Sequence, residues 1–235
     1  MPSIAICYHG MTRSTRFVYQ THYENVFNVL KSNNATFDVY LHTWKTNNNW
    51  VWTEDIHVPN DYTEHNFLNP TRYQIDDQDE FLKTIDFSIY NNETDDNRKW
   101  VPELIRNYMC ALESQKRCFN MCVSSNIKYD YVIFIRPDIE IIDKLPYDKI
   151  FDSKIFEYNS IFIPHDNWFD GYNDRFAITT FNNALWYSHR SNETEEYRIQ
   201  YGCVFAEKYA KYIIDKYYKL MPISFRFLLV RSNGS

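Results

Sequence analysis

Ser3–Tyr8 opens the chain as an apolar run of strand length that stops at His9-Gly10. Thr15–Leu30 follows with Phe17, Val18, His22, Val26, Phe27 and Leu30 near helical spacing. Phe37–Leu41 is a second apolar run, closed by His42-Thr43-Trp44. Strand, helix, strand in that order predicts a βαβ unit and hence parallel pairing. From Lys45 to Lys99 the chain is polar and rich in Asn and Asp, with Trp50, Trp52, Phe67 and Phe81 embedded. This stretch predicts loops, one edge strand near Thr53–His57 and a short helix around Asp79–Lys83. Pro102–Ser125 predicts a longer helix, with proline in its first turn and Ile105, Met109, Leu112, Lys116, Phe119 and Val123 along one face. Tyr129–Ile135 is apolar nearly throughout, as a central strand covered on both faces must be. Asn159–Ile163 predicts another strand, Thr194–Leu220 a long helix with a break near Gly202, and Ser224–Val230 a final strand. No repeat or flexible linker interrupts the pattern. The expectation is one α/β domain over residues 1–235, with a mainly parallel central sheet and helices on both faces.

Composition narrows the functional classes. Hydrophobic residues at 44% and aromatics at 18% exclude a disordered chain. With 25 basic and 31 acidic residues the net charge is −6, which argues against a general nucleic-acid partner. No apolar stretch is long enough for a transmembrane segment, and the start MPSIAICYHG lacks the basic and apolar regions of a secretory signal. The five cysteines are odd in number and form no CxxC. Cys118 and Cys122 have the spacing of half a metal site, with no nearby pair to complete it, so buried free thiols are expected. These readings together predict a cytoplasmic protein.

Four segments carry candidate chemistry. Arg136-Pro137-Asp138-Ile139-Glu140 directly follows the Tyr129–Ile135 run. Ligands of open parallel sheets bind at the carboxyl ends of strands, and Asp138 and Glu140 are spaced to share a hard cation there, Mn²⁺ or Mg²⁺. The alternative is a solvated turn. His9–Arg16 joins the first strand to its helix with one glycine, Gly10, and two arginines, Arg13 and Arg16. It matches neither a P-loop nor a dinucleotide fingerprint, but arginines beside a helix N-terminus suit an anion. Lys116 lies within an apolar stripe, where its ammonium either snorkels outward or meets a phosphate. His165–Ile178 is dense in acids, amides and aromatics, which suits sugar faces and general-base chemistry; an acidic surface loop is the plainer alternative.

These segments in this order resemble nucleotide-sugar-dependent glycosyltransferases of the type A (GT-A) fold, a Rossmann-like architecture. The similarity is to the small, cytoplasmic kind found in large DNA viruses and bacterial surface-polysaccharide clusters. It is carried by the strand before Arg136-Pro137-Asp138, by Asp174-Arg175-Phe176-Ala177, by Gly10 with Arg13, by Asp38–Trp44 and by Phe225–Arg231. Residues Lys45–Lys99 carry none of it. The chain departs from the family in having Asp-x-Glu for Asp-x-Asp, Ile178-Thr179-Thr180 after Phe-Ala, and no histidine beyond His189. The resemblance implies transfer from a nucleoside-diphosphate sugar, UDP-linked as the first expectation, to a glycan or glycoprotein acceptor. It implies Mn²⁺ or Mg²⁺ on Asp138 and Glu140. Donor contacts would come from Tyr8, Gly10, Arg13, Arg16, Thr43, Trp44, Lys116, Arg136 and Asp138, with Tyr8 or Trp44 against the base. Asp174 is the first choice for the catalytic base and Asp170 the second. The rival readings are a sugar-phosphate nucleotidyltransferase, which normally has a Gly-rich, Lys-bearing first loop, and a carbohydrate-binding protein without turnover.

Overall fold

The computed structural model describes residues 1–47, 60–90, 102–151 and 159–234. Its centre is a seven-stranded sheet of order β3-β2-β1-β4-β7-β6-β8. The strands are β1 (Ser3–His9), β2 (Thr36–Lys45), β3 (Arg72–Asp77), β4 (Tyr131–Ile135), β6 (Ser160–Pro164), β7 (Phe176–Thr180) and β8 (Lys219–Ile223). Strands β3, β2, β1 and β4 are mutually parallel, as is the β6–β8 pair. Strand β7 runs antiparallel between β4 and β6. The architecture is therefore the expected Rossmann-like α/β sheet, mostly parallel, with helices around it.

Alternation along β1 explains why it lies at the middle. Ile4, Ile6 and Tyr8 face a layer holding Val26, Phe27 and Leu30, which come from the wide π-helical turn Tyr23–Phe27 and α2 (Asn28–Ser32), the continuation of α1 (Thr15–His22). Ala5 and Cys7 face the opposite layer, against Cys118, Phe119 and Cys122 of α4 (Pro102–Val123). A strand buried on both sides tolerates no charged position, and SIAICYH has none. From β1 the chain crosses to β2 on one side, while β4 lies on the other. The carboxyl ends of β1 and β4 thus flank the topological switch point, where open α/β sheets hold their ligands.

Several expectations change. Strand β3 is an edge of the sheet; the edge strand expected near Thr53–His57 lies outside the described residues. The β3 sequence RYQIDD is half-exposed and charged, so no apolar run marked it. The helix expected around Asp79–Lys83 is α3 (Gln78–Leu82), capped by the Asp77 carboxylate on the Asp79 and Glu80 amides. The break expected near Gly202 is present: α7 (Thr194–Tyr201) and α8 (Ala206–Tyr217) are parted at Gly202 with φ 81°. Lys219–Ile223, placed partly inside that helix by its pattern, is β8; Pro222 is tolerated there because β8 is an edge. The last strand shortens to β9 (Phe227–Leu229) and leaves the main sheet to pair antiparallel with β5 (Ile139–Ile141). The helices α5 (Tyr147–Phe151) and α6 (Ala184–Ser188) complete the set used below.

All five cysteines are free and buried. Among the described residues no helix is long and apolar enough to cross a membrane.

Candidate active site

The β1 strand ends in His9 and turns at Gly10, whose φ of 104° excludes a side chain without strain. The Gly10 amide donates to Ser114 Oγ at 2.8 Å, and Ser114 Oγ donates to the His42 carbonyl at 3.0 Å. One serine of α4 thereby ties the carboxyl ends of β1 and β2 together. Strand β4 ends in Ile135, and the chain then runs through Arg136 and Pro137 into Asp138. Antiparallel β7 starts beside that same end: Ile135 is in register with Phe176, and the Arg136 amide donates to the Arg175 carbonyl at 3.2 Å. This pairing brings Asp174 back to the switch point.

The centre of the site is an ion cluster. Asp138 is fully buried. Arg136 grips it with both arms of the guanidinium, Nε to Oδ1 at 2.8 Å and Nη2 to Oδ2 at 2.5 Å. Arg13 Nη2 lies 3.7 Å from Oδ2. Burial alone would raise the Asp138 carboxyl; the Arg136 guanidinium, with Arg13 beyond it, reverses this and holds it below the ordinary carboxylate value. Val230, just past β9, donates its amide to the Asp138 carbonyl at 2.9 Å and accepts from Ser14 Oγ at 2.8 Å. The C-terminal segment therefore closes one wall.

Further groups face this cluster. His9 is 3% exposed, and among the described residues neither ring nitrogen has a partner. Burial, then the charges of Arg190 and Arg136, keep it well below the ordinary histidine value against the opposing pull of Asp138, so His9 is neutral. Arg190, equally buried, lies 4.0 Å above the Tyr187 ring and donates to the Tyr187 carbonyl at 3.3 Å. Its Nε has no partner among the described residues. The Asp174 carboxylate acts on both Arg136 and Arg190. Orphaned buried polar atoms are rare in folded proteins, and a group of them at one place marks where a ligand bonds.

The structure sorts the expected residues. Gly10, Arg13, Arg136, Asp138 and Asp174 are brought together. Arg16 is not: its guanidinium and its amide both bind the buried Glu64 carboxylate, at 2.8 and 3.0 Å. Glu64 also occupies the N-terminus of α1, so that helix end holds a protein carboxylate where a phosphate was expected. Lys116 extends to Asn192 Oδ1 at 3.1 Å on an exposed surface, which is the snorkelling alternative. Neither aromatic ring offers a face to a base. Tyr8 is fully buried and bonded to His22 at 2.9 Å, while the buried Trp44 stacks on Phe81, has Arg117 against its ring and donates to the Cys110 carbonyl. Thr43 is buried with its hydroxyl unpartnered among the described residues. Asp170 is exposed at a loop tip where Asn167, Phe169 and Asp170 all have positive φ.

The cation expectation does not fit. Both Asp138 oxygens already accept from a guanidinium, and Glu140 is the outward residue of β5, between buried Ile139 and Ile141. Alternation on a strand sends Glu140 away from the core that holds its neighbours. Among the described residues no group of three or more His, Cys, Asp or Glu is placed to hold a metal ion.

His9, Arg190 and Tyr187 were not singled out from the sequence. His9 carried a usable signal, being the last residue of a strand directly before a glycine turn. Arg190 and Tyr187 carried none, since tertiary packing alone brings them in.

The loop holding Asp174 depends on Gly171. A Cβ there would stand 2.0 Å from the Glu207 carbonyl carbon and oxygen of α8. Because the obstacle is backbone, Gly171→Ala should destabilise the chain by ~3 kcal/mol. A urea midpoint equal to wild type would contradict this packing.

No family model matches the chain, and no curated protein matches it. Among solved structures, it is similar to a glycosyltransferase involved in the glycosylation of the major capsid of PBCV-1. The identity is 8% and the TM-score 0.44, over 94% of this chain and 80% of that one.

Proposed function

We propose that this chain transfers a glycosyl group from a nucleoside-diphosphate sugar to a hydroxyl acceptor. The observation that carries the reading is the pair of half-buried arginines, Arg136 and Arg13, on the buried Asp138 carboxylate at the carboxyl ends of β1 and β4, with orphaned polar groups around them. A switch point flanked by guanidinium groups suits a diphosphate, which arginine binds through paired, charge-assisted bonds. The resemblance of Arg136-Pro137-Asp138 and Asp174–Ala177 to glycosyltransferase segments supports the same class.

The residues divide the chemistry. Arg13 and Arg136 hold the diphosphate and stabilise the charge it gains as the sugar–phosphate bond breaks. Asp174 takes the acceptor hydroxyl proton as that oxygen bonds to the anomeric carbon. The nucleoside diphosphate leaves with the electron pair of the broken bond. Asp138 reacts with nothing; it orients the two arginines.

A thermal-shift panel of nucleotide sugars tests the class, since a ligand of the folded state stabilises by RT ln(1 + [L]/Kd). At least one donor should raise the melting temperature and be turned over to free nucleoside diphosphate. Pyrophosphate release from a nucleoside triphosphate and a sugar phosphate would instead identify a nucleotidyltransferase. Within the transferase reading, Arg13→Ala should raise the donor KM by about 10–100-fold, the worth of one charge-assisted bond. An unchanged KM would remove Arg13 from the donor site.

A further inference from the structure

The short acidic motif after β4 predicts a cation, and its geometry refuses one. A divalent ion at a diphosphate site needs free carboxylate oxygens facing the phosphates. Here the buried carboxylate of Asp138 is spent on Arg136 and Arg13. Glu140 projects outward from β5. What remains at the switch point is the positive charge of the arginines, neutral donors and the single carboxylate of Asp174. Beyond Asp138, the Arg136 guanidinium is acted on by the Asp174 carboxylate. Arg190 is held against Tyr187 with Nε unbonded, and the neutral His9 ring lies within reach of both charges.

Burying guanidinium groups and an unbonded imidazole is costly without a ligand that repays it. Two carboxylates, the buried Asp138 and the partly exposed Asp174, offset only part of that charge. The shortfall matches a ligand with several anionic oxygens. A neutral imidazole adds one N–H donor to such a ligand and introduces no further charge.

We infer that this site binds the donor's diphosphate without a divalent cation, on Arg13, Arg136 and Arg190, with the unpartnered His9 ring as an N–H donor. The inference rests on the glycosyl-transfer reading and specifies how its site recognises the leaving group. Asp138 then serves as the anchor of an arginine cradle, and the guanidinium groups neutralise the leaving phosphate as a metal would elsewhere.

Calorimetric titration of the full chain with UDP, GDP and ADP, in EDTA and again in Mn²⁺, tests this. One diphosphate should bind in EDTA, with a Kd that Mn²⁺ changes by less than about threefold. Binding that appears only with Mn²⁺ would overturn the inference and leave glycosyl transfer standing. Failure of all three diphosphates under both conditions would overturn the transfer reading as well. His9→Leu separates a ligand role from a structural one. It removes a buried polar group that has no protein partner, so the melting temperature should hold or rise. Affinity in EDTA should nevertheless fall at least about tenfold, or ~1.4 kcal/mol. Unchanged affinity in a stably folded His9→Leu would remove His9 from the site.

Discussion

Asp138→Asn should lower both the stability of the chain and its affinity for a nucleoside diphosphate. The native carboxylate is fully buried and accepts two bonds from Arg136, with Arg13 close behind. Asparagine keeps the shape, but it loses the charge and turns an amide donor toward a guanidinium donor. Breaking a fully buried ion pair costs roughly 3–5 kcal/mol. The arginine side chains keep 24% and 23% exposure, so water screens part of that charge. The expected loss is therefore nearer ~2–3 kcal/mol in urea unfolding at neutral pH. The sign of its pH dependence follows from the depressed Asp138 carboxyl. A group whose folded pKa lies below its unfolded value of about 4 stabilises fully above that pH and loses this contribution as pH falls through the folded value. The gap between wild type and Asp138→Asn should thus be full at pH 7 and shrink below about pH 4. Affinity should fall more than tenfold, because Arg13 and Arg136 lose the group that aims them. Equal unfolding midpoints at pH 7, together with equal diphosphate affinity, would show that the cluster is neither structural nor a ligand cradle.

What the sequence disclosed about this region follows from what one-dimensional patterns can carry. The β1 and β4 strands were legible because a central parallel strand is apolar on both faces, and SIAICYH and YVIFI are. The Arg136–Asp138 step was legible because it follows such a strand without a gap. The partner of Asp138 was not: an acidic pair spaced two apart reads as a cation site, and only the bend through Pro137 turns Asp138 onto Arg136 while Glu140 faces out. Strand β7 stayed hidden because FAITT is too short to stand out from the polar loop before it. Strand β3 stayed hidden because its edge position lets it be charged. Tyr8 and Trp44 were mistaken for base platforms because an aromatic at a strand end looks the same whether a ligand or the protein's own α1 and α3 layers cover it.

Asp174→Asn should abolish most turnover while leaving donor binding near normal. The antiparallel β7 begins two residues later, beside the carboxyl end of β4, and so holds Asp174 against the site. Its side chain is 12% exposed, and it acts on Arg136 and Arg190, the groups proposed to hold the diphosphate. A carboxylate in that position can take the acceptor proton, and losing a general base lowers kcat by roughly 10²–10⁴-fold. The structural alternative is an ion pair with Arg175, but those groups are 4.0 Å apart. Arg175 also has Glu207 at 3.5 Å, so it would keep a carboxylate partner after the substitution. The surrounding loop is held by other bonds: the Asn173 side chain spans the Asp166 carbonyl and the Arg175 amide, and the Tyr172 amide donates to the Glu207 carbonyl. Stability should therefore change by less than ~1 kcal/mol, as expected for a partly exposed pair. Steady-state kinetics with a saturating donor, beside calorimetry with the nucleoside diphosphate, decides the matter. Lost kcat with retained affinity identifies the base. Retained kcat removes Asp174 from the reaction, and loss of both affinity and melting temperature assigns it to the loop's structure. Asp170→Asn, altering an exposed carboxylate four residues earlier in the same loop, should leave all three quantities unchanged; a loss of kcat there would transfer the role to Asp170.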